Sequence, residues 1–277
     1  KIKTRIPVVW TCNEPPFWFL HHSPFKALCL PLYELWDKLL VKKYVDKFIT
    51  LDELNRERIK NIYGRESFVI RSGIDHGLFQ NNAGGSIRDT YHIKYDDFIL
   101  LQVGTLAGYK RQTDSLLVLK ALKEKDDIKL VLVGETPRPE KEYLENLAKE
   151  LGVSDKVIFA GKVTEEDLRK FYKAADILLF PAEQTWGLAV IEAMACSRPV
   201  IVTRSCGVAE IIEDGVNGFL VSPRSPEEIA KKVRIIMSDT NLSRSMGKSA
   251  AEFVRQNFSW EKAAEDYIRV FEDVLRE

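Results

Sequence analysis

The stretch Phe180–Pro199, FPAEQTWGLAVIEAMACSRP, contains the end of an apolar strand, a polar loop and the start of an apolar helix. The predicted strand Asp176–Phe180 stops at Pro181, and the helix begins after Gly187. Because a helix N-terminus carries unpaired N–H groups and a partial positive charge, this corner predicts a phosphate-binding site. Gly187 lacks a Cβ and would let a ligand approach the backbone. The single carboxylate of the helix, Glu192, faces either solvent or a polar ligand.

The spacing P-x-x-x-x-(F/W)-G-L-x-x-x-E-A-M-A-x-x-x-P-V resembles the signature of retaining glycosyltransferases of family 4, which have the GT-B fold. In that family two glutamates separated by seven residues flank the donor nucleotide sugar. The second glutamate matches Glu192, which the resemblance implies binds the donor. The first position is Gln184, with Glu183 one place earlier, so an amide is expected to contact the transferred sugar. The same resemblance adds these donor-site residues: Trp186, Gly187 and Leu188.

Length and composition indicate two lobes and argue against a nucleic-acid-binding or secreted protein. A chain of 277 residues suits two lobes. The 41 Lys and Arg balance the 41 Asp and Glu, which argues against a nucleic-acid partner. The four cysteines lack C-x-x-C spacing, which argues against zinc and disulfides and favours a reduced, cytoplasmic setting. No apolar run reaches the roughly 20 residues of a membrane span, and Lys1–Val9 lacks the apolar core of a signal peptide.

The N-terminal part is expected to belong to the acceptor-side lobe. Ile6–Thr11 predicts a buried strand. The overlapping stretch VVWTCNEPP, residues 8–16, resembles a family subgroup that has His-Glu-Pro-Pro here. Asn13 therefore replaces a His that in the family lies beside donor and acceptor. Asn13 is therefore a catalytic candidate by resemblance, although it cannot accept a proton. Because the strand and Gly-rich turn that normally open this lobe do not precede Ile6, the lobe is expected to be incomplete.

Apolar residues recur at helical spacing from Pro31 to Phe48 and predict an amphipathic helix. We favour a core-facing helix. The alternative is a helix on a membrane surface, supported by the nearby aromatic residues at 17–19. The expected elements that follow are strand Phe48–Leu51, helix Glu53–Tyr63 with Asp52 as its N-cap, and strand Phe68–Arg71.

Residues 1–85, 86–257 and 258–277 form the predicted domains. Ser72-Gly73-Ile74-Asp75 and Phe79 resemble the family's exit from the first lobe, and the run Gln80–Ser86 is a plausible linker. Residues 86–257 would be the donor lobe. The motif that begins at Phe258, FSWEKAAE, resembles the family's last helix, which returns to the first lobe.

Strands and helices alternate after the linker, which predicts a parallel, doubly wound, Rossmann-like sheet. The expected strands are Phe98–Val103, Lys129–Val133, Val157–Ala160, Asp176–Phe180, Val200–Val202 and Gly218–Val221. The expected helices are Gln112–Lys123, Glu140–Leu151, Glu165–Ala174, Leu188–Cys196, a short Val208–Ile212, and one through Met237 that starts with a capping box at Ser225. Ligands of such sheets bind at the carboxyl ends of the strands.

A second motif, GTLAGYKR at 104–111, combines glycines with two cations between a strand and a helix, which suits a diphosphate. It resembles the family's G-R-L-x-x-x-K: Lys110 matches the Lys, Thr105 replaces the Arg, and Arg111 is expected to compensate. The alternative is two solvated cations. The donor candidates at the strand ends are thus Gly104, Thr105, Lys110, Arg111 and Gly134. A further stretch from Gly207, GVAEIIEDGVNGFLV, resembles the family and adds Glu210.

The resemblance implies a hexosyltransferase that moves a hexose, such as mannose or glucose, from a nucleotide sugar to a glycan, lipid-linked or small-molecule hydroxyl. Its catalytic candidates are Gln184, Lys110 and Asn13. No metal or cofactor is expected, and peripheral membrane contact would involve the first lobe. One alternative is a catalytically weak nucleotide-sugar-binding or regulatory subunit, which the substitutions at Asn13, Thr105 and Gln184 favour. A nicotinamide dehydrogenase is disfavoured because no G-x-G-x-x-G follows a strand.

Overall fold

The computed structural model of the chain describes residues 6–13, 30–80, 87–184 and 186–276. The chain divides into two compact units, Lys1–Gly73 with Phe258–Glu277, and Ile74–Asn257. The first boundary therefore falls earlier than the expected residue 85, and residues 258–277 belong with the first unit. The aromatic residues at 17–19 and most of the predicted linker lie outside the described residues.

The described strands are β1 Val9–Thr11, β2 Lys47–Thr50, β3 Ser67–Val69, β4 Phe98–Val103, β5 Ile128–Val133, β6 Val157–Gly161, β7 Ile177–Phe180, β8 Val200–Thr203 and β9 Phe219–Val221. The described α-helices are α1 Leu30–Tyr44, α2 Glu53–Tyr63, α3 His76–Gln80, α4 Ile87–Thr90, α5 Gln112–Ala121, α6 Arg138–Glu150, α7 Glu165–Ala174, α8 Leu188–Ala195, α9 Pro226–Ser238, α10 Thr240–Asn257 and α11 Trp260–Arg276.

The second unit contains the predicted parallel sheet, with the strand order β6-β5-β4-β7-β8-β9. Every pairing in this sheet is parallel, so the strand carboxyl ends lie along one edge. The order changes direction between β4 and β7, which is the switch point where such sheets bind ligands. Central residues such as Leu100, Val131 and Leu178 are fully buried, as expected for a sheet covered on both faces. The α/β, Rossmann-like architecture is confirmed.

The first unit contains a smaller parallel sheet in the order β1-β2-β3. Phe48 of β2 packs against the rings of Trp10 and Tyr63, with ring centroids 5.5 Å from each, and those two rings also contact each other at 6.0 Å. On the other face, Ile49 and Ile70 pack against α11. The predicted N-cap is confirmed, because the Asp52 carboxylate accepts a 2.7 Å hydrogen bond from the N–H of Asn55.

Two expectations for the first unit are wrong. The strand β1 is shorter than Ile6–Thr11 and is not buried, since Ile6 is 86% exposed and β1 lies at the edge of the described sheet. The helix α1 ends at Tyr44 because the chain enters β2 at Lys47. Val41, near the end of α1, packs into the core beside Phe48 and Ile59, whereas the earlier apolar residues Leu32, Leu35, Trp36 and Leu39 are exposed rather than core-facing.

The capping box predicted at Ser225 is also not formed. Ser225 lies at the N-cap of α9, but its side chain makes no capping hydrogen bond. Glu228 instead accepts a 2.7 Å hydrogen bond from the N–H of Ser222, three residues earlier than the box requires. None of the described helices combines the length and apolar character needed to cross a membrane.

Candidate functional site

Several loops meet at the carboxyl edge of the second unit's sheet. Backbone hydrogen bonds connect the loop after β7 to two neighbours: Glu183 N–H donates to the Tyr109 carbonyl at 2.8 Å, and Gly207 N–H donates to the Gln184 carbonyl at 3.2 Å. The loops after β4 and β5 are joined by a 2.8 Å bond from Leu106 N–H to the Glu135 carbonyl. The structure thus brings together the two motifs that the sequence singled out, 104–111 and 181–188.

Gly104 and Gly134 directly follow β4 and β5, and both have backbone angles that favour glycine, with φ of 143° and 144°. A Cβ on Gly134 would lie 2.3 Å from the Gly104 carbonyl oxygen. A Cβ on Gly104 would lie 3.2 Å from Cε of Lys110. These glycines therefore allow the two loops to approach each other and allow the Lys110 side chain to pass over the end of β4.

Lys110 is positioned by both its backbone and its side chain. It ends the short 3-10 helix Gly108–Lys110, and its carbonyl accepts a 2.7 Å hydrogen bond from the Gln102 amide. Its Nζ lies 5.9 Å from the centroid of the Phe180 ring and donates a hydrogen bond to Oε1 of Gln184. The predicted phosphate-binding cation is thus in direct contact with the residue predicted to contact the sugar.

The amide of Gln184 uses both of its ends in this loop. Oε1 accepts from Lys110, and Nε2 donates a 3.0 Å hydrogen bond to the carbonyl of Trp186. A carboxylate has no hydrogen to donate to that carbonyl. The loop is therefore built around an amide at residue 184, and the Trp186 side chain beside it is buried.

Glu183 has a different partner from Gln184 and pairs with an arginine that the sequence analysis did not identify. Its two carboxylate oxygens accept hydrogen bonds of 2.6 Å and 3.0 Å from Arg224, in the loop after β9. Arg224 lowers the pKa of Glu183, and Arg111 lowers it further. Arg224 has φ of 56°, a conformation that non-glycine residues rarely adopt. Glu183 thus joins two loops of the edge.

Arg111 was expected to compensate for the missing arginine at Thr105, but its guanidinium is engaged elsewhere. Its Nη2 and Nε donate to the buried carboxylate of Asp114 at 2.7 Å and 3.1 Å, and its Nε lies 4.0 Å from Glu183. Thr105 contributes its carbonyl, which accepts a 3.1 Å hydrogen bond from Gln112. Through its bonds to Asp114, Arg111 anchors the first turn of α5.

Gly187 precedes α8, but the space left by its missing Cβ is occupied. A Cβ there would lie 2.6 Å from Cζ of Phe180, whose side chain is buried. The Phe180 ring thus fills this space, and donor binding at Gly187 stays a prediction. No side chain caps α8 at Gly187, and Leu188 at the helix start is half exposed. The first N–H groups of α8 remain the candidate for binding an anion.

Glu192 lies one turn into α8 among apolar neighbours. Its Oε2 accepts a 2.6 Å hydrogen bond from the hydroxyl of Tyr172, in α7. Burial raises the pKa of Glu192 above its usual range, and the Tyr172 bond opposes that rise. Burial also raises the pKa of Tyr172, and the negative charge of Glu192 raises it further. The solvated alternative for Glu192 is thus disfavoured.

Two further candidates lie on other elements of the chain. Glu210 is exposed in the 3-10 helix Gly207–Ile211, which follows β8. Asn13 belongs to the first unit, where its carbonyl accepts a hydrogen bond from Asn55. Among the described residues, no group of three or more His, Cys, Asp or Glu is arranged to hold a metal ion.

Sequence reasoning missed Tyr172, Arg224 and the packing role of Phe180. Tyr172 lies in an amphipathic helix and Phe180 in an apolar strand, so their sequence signals are those of ordinary core residues. Arg224 follows a strand, and that position on the ligand edge was the available signal.

Comparison with known proteins gives a consistent result. The family described as "Glycosyl transferases group 1" matches residues 86–253, more than half of the chain. An uncharacterized glycosyltransferase of Methanocaldococcus jannaschii is 30% identical over 231 residues, which cover 80% of this chain and 59% of that protein. N-acetyl-alpha-D-glucosaminyl L-malate synthase of Bacillus anthracis is 30% identical over 205 residues, 74% of this chain and 53% of that protein. The chain thus spans somewhat over half the length of these relatives.

A solved structure with a similar fold is Anabaena HepE in complex with UDP-glucose. The TM-score is 0.84 at 20% sequence identity, and the match covers 96% of this chain and 72% of that chain. At this identity the likeness concerns the fold, which has the two Rossmann-like lobes of the GT-B type.

Proposed function

Because the chain belongs to the family of glycosyl transferases group 1, we propose that it serves in the transfer of a hexose from a nucleoside diphosphate sugar to a hydroxyl acceptor, with retention of configuration. The observation that carries this proposal is the contact between Lys110 Nζ and Gln184 Oε1 close to the start of α8. This contact places a cation and the N–H groups of a helix start at the switch point of a parallel sheet.

The proposed division of roles follows the chemistry of a departing diphosphate. When the bond between the sugar C1 and the phosphate oxygen breaks, negative charge develops on the diphosphate. Lys110 and the first turn of α8 would stabilise that charge without a metal ion. Glu192 would accept hydrogen bonds from the ribose hydroxyls, because a carboxylate is an acceptor only. The oxygen of the acceptor hydroxyl then bonds to C1 on the face that the diphosphate leaves, its proton passes to the departing phosphate oxygen, and free nucleoside diphosphate is released.

Gln184 would hold a hydroxyl of the transferred sugar. Its amide can accept a hydrogen bond but carries no charge, so it stabilises developing positive charge on the sugar ring less than a carboxylate would. Asn13 is the proposed catalytic candidate of the first unit. The substitutions at these two positions favour the second candidate, a nucleotide-sugar-binding subunit with weak turnover.

Uridine diphosphate sugars are the first donors to test, because HepE was solved with UDP-glucose. The acceptor is proposed to be a glycan, a lipid-linked sugar or a small molecule. Titration calorimetry of the chain against UDP-, GDP- and ADP-glucose and GDP-mannose would identify the donor. Release of free nucleoside diphosphate when donor and acceptor are both present would distinguish an enzyme from a binding subunit.

The sharpest test of the site is Lys110→Met, with Lys162→Met as its control. Lys162 is exposed and pairs with Glu135 at the surface. A lost hydrogen bond to a charged group costs about 1.5–3 kcal/mol, so UDP should bind about 10- to 150-fold more weakly to Lys110→Met. Uridine should bind equally to both variants and to the parent chain. Equal weakening of UDP and uridine would show that Lys110 does not contact the phosphates.

Contact with a membrane surface through α1 is proposed from its exposed apolar stripe and the two lysines of its last turn, Lys42 and Lys43. Flotation with anionic lipid vesicles would test it. The parent chain should float with the vesicles and Trp36→Glu should not, whereas flotation of neither protein would contradict it.

A further inference from the structure

Glu192 has two carboxylate oxygens in different situations. Oε2 accepts the 2.6 Å hydrogen bond from Tyr172. None of the described residues donates a hydrogen bond to Oε1. Burying a carboxylate is costly unless its oxygens are hydrogen-bonded, and the rest of α8, LAVIEAMA, is apolar. One oxygen of Glu192 is thus anchored and the other remains able to accept a hydrogen bond.

Tyr172 is well suited to hold this carboxylate still. Its side chain is completely buried in α7, and its ring packs against the ring of Phe79, 6.4 Å away between centroids. A buried tyrosine has only two side-chain torsions, so the hydroxyl position is set by the packing of the ring. Because burial and Glu192 raise the pKa of Tyr172, the hydroxyl keeps its proton and remains a donor.

We propose that Tyr172 is a positioning residue of the donor site, which anchors Oε2 of Glu192 so that Oε1 accepts from the ribose hydroxyls of the donor. This inference rests on the proposed function, because it assumes that a nucleotide binds at the edge of the second unit. It adds a residue that touches no ligand and acts only through Glu192.

Tyr172 also affects the charge of Glu192. Burial and the charge of Glu165, at the start of α7, raise the pKa of Glu192, and the Tyr172 hydrogen bond lowers it. Cys196, which follows α8 as its C-cap, has its pKa raised to about 11 by burial and stays a neutral thiol. Removing the Tyr172 hydroxyl should therefore make Glu192 take up a proton at a higher pH.

The test compares two ligands and two proteins. UDP and 2′,3′-dideoxy-UDP differ only in the ribose hydroxyls, and Tyr172→Phe removes only the anchoring hydroxyl. We expect Tyr172→Phe to weaken UDP about tenfold and to leave 2′,3′-dideoxy-UDP within about twofold of the parent chain. Tyr143→Phe, at an exposed tyrosine of α6, should change neither affinity. Equal weakening of both ligands, or of neither, would overturn the proposal.

Two further measurements distinguish an effect through Glu192 from poor folding of the Tyr172→Phe variant. If Tyr172 acts through Glu192, the double variant Tyr172→Phe, Glu192→Gln should bind UDP no more weakly than Glu192→Gln alone. The fall in UDP affinity on acidification, measured relative to that of the dideoxy ligand so that protonation of the shared diphosphate cancels, should move to higher pH in Tyr172→Phe. Failure of the parent chain to bind UDP, GDP or ADP would instead refute the proposed function.

Discussion

Gly187→Ala distinguishes two explanations of the glycine before α8. The structure leaves no room for a methyl group there, since a Cβ would lie 2.6 Å from Cζ of Phe180 and 3.1 Å from Cγ1 of Val208. Phe180 is buried, so its ring cannot swing into solvent. Overpacking of this kind costs about 1–3 kcal/mol. Loss of glycine's freedom in the unfolded chain offsets about 0.4–1 kcal/mol.

The net loss of unfolding free energy should be about 0–2.6 kcal/mol, centred near 1.3 kcal/mol, which lowers the melting temperature of a unit of this size by up to about 10 °C. Urea denaturation followed by circular dichroism measures it. Gly108→Ala is a matched control, because a Cβ at Gly108 meets no atom within 4 Å.

A double-mutant cycle assigns the loss to the contact with Phe180. In a Phe180→Leu background the smaller side chain should accept the new methyl group, and Gly187→Ala should then cost at least about 1 kcal/mol less. The reasoning is refuted if Gly187→Ala is as stable as the parent chain while its UDP affinity falls. That result would indicate that residue 187 is a glycine because a ligand, and not Phe180, needs the space.

Gln184→Glu should weaken UDP binding several-fold, because a carboxylate in contact with Lys110 competes with the diphosphate for the same cation; calorimetry checks this, and an unchanged affinity would contradict it. Glu183→Gln should cost less than about 1 kcal/mol, since Arg224 is largely exposed. Because Arg224 lowers the pKa of Glu183, the pair stabilises the fold above the ordinary carboxyl pKa of about 4.3 and is lost as pH falls through the folded value. Urea titrations at pH 7 and pH 3 should therefore differ more for the parent chain than for Glu183→Gln, and equal differences would show that the pair contributes nothing.

The strands of the second unit were predictable because a parallel sheet covered on both faces leaves a local signature. The run Phe98–Val103 was placed at its observed limits, and Val157–Ala160 and Val200–Val202 were each one residue short. The ligand edge followed from the same pattern, since parallel strands deliver the loops after them to one side of the sheet. The first unit was predicted less accurately, because the spacing of apolar residues in a helix such as α1 is the same whether that face packs on a core or is exposed.

The amino-acid sequence alone determined the family motifs, the parallel sheet and the edge at which Lys110, Gln184 and Glu192 lie. Only the tertiary structure decided what each side chain touches. Tyr172 and Glu192 are 20 positions apart, and Glu183 and Arg224 are 41 apart. Such contacts depend on how separate segments pack and on the direction of each side chain, which local patterns do not encode. A sequence motif therefore names the residues of a site, and packing between distant segments sets which of their atoms remain available to a ligand.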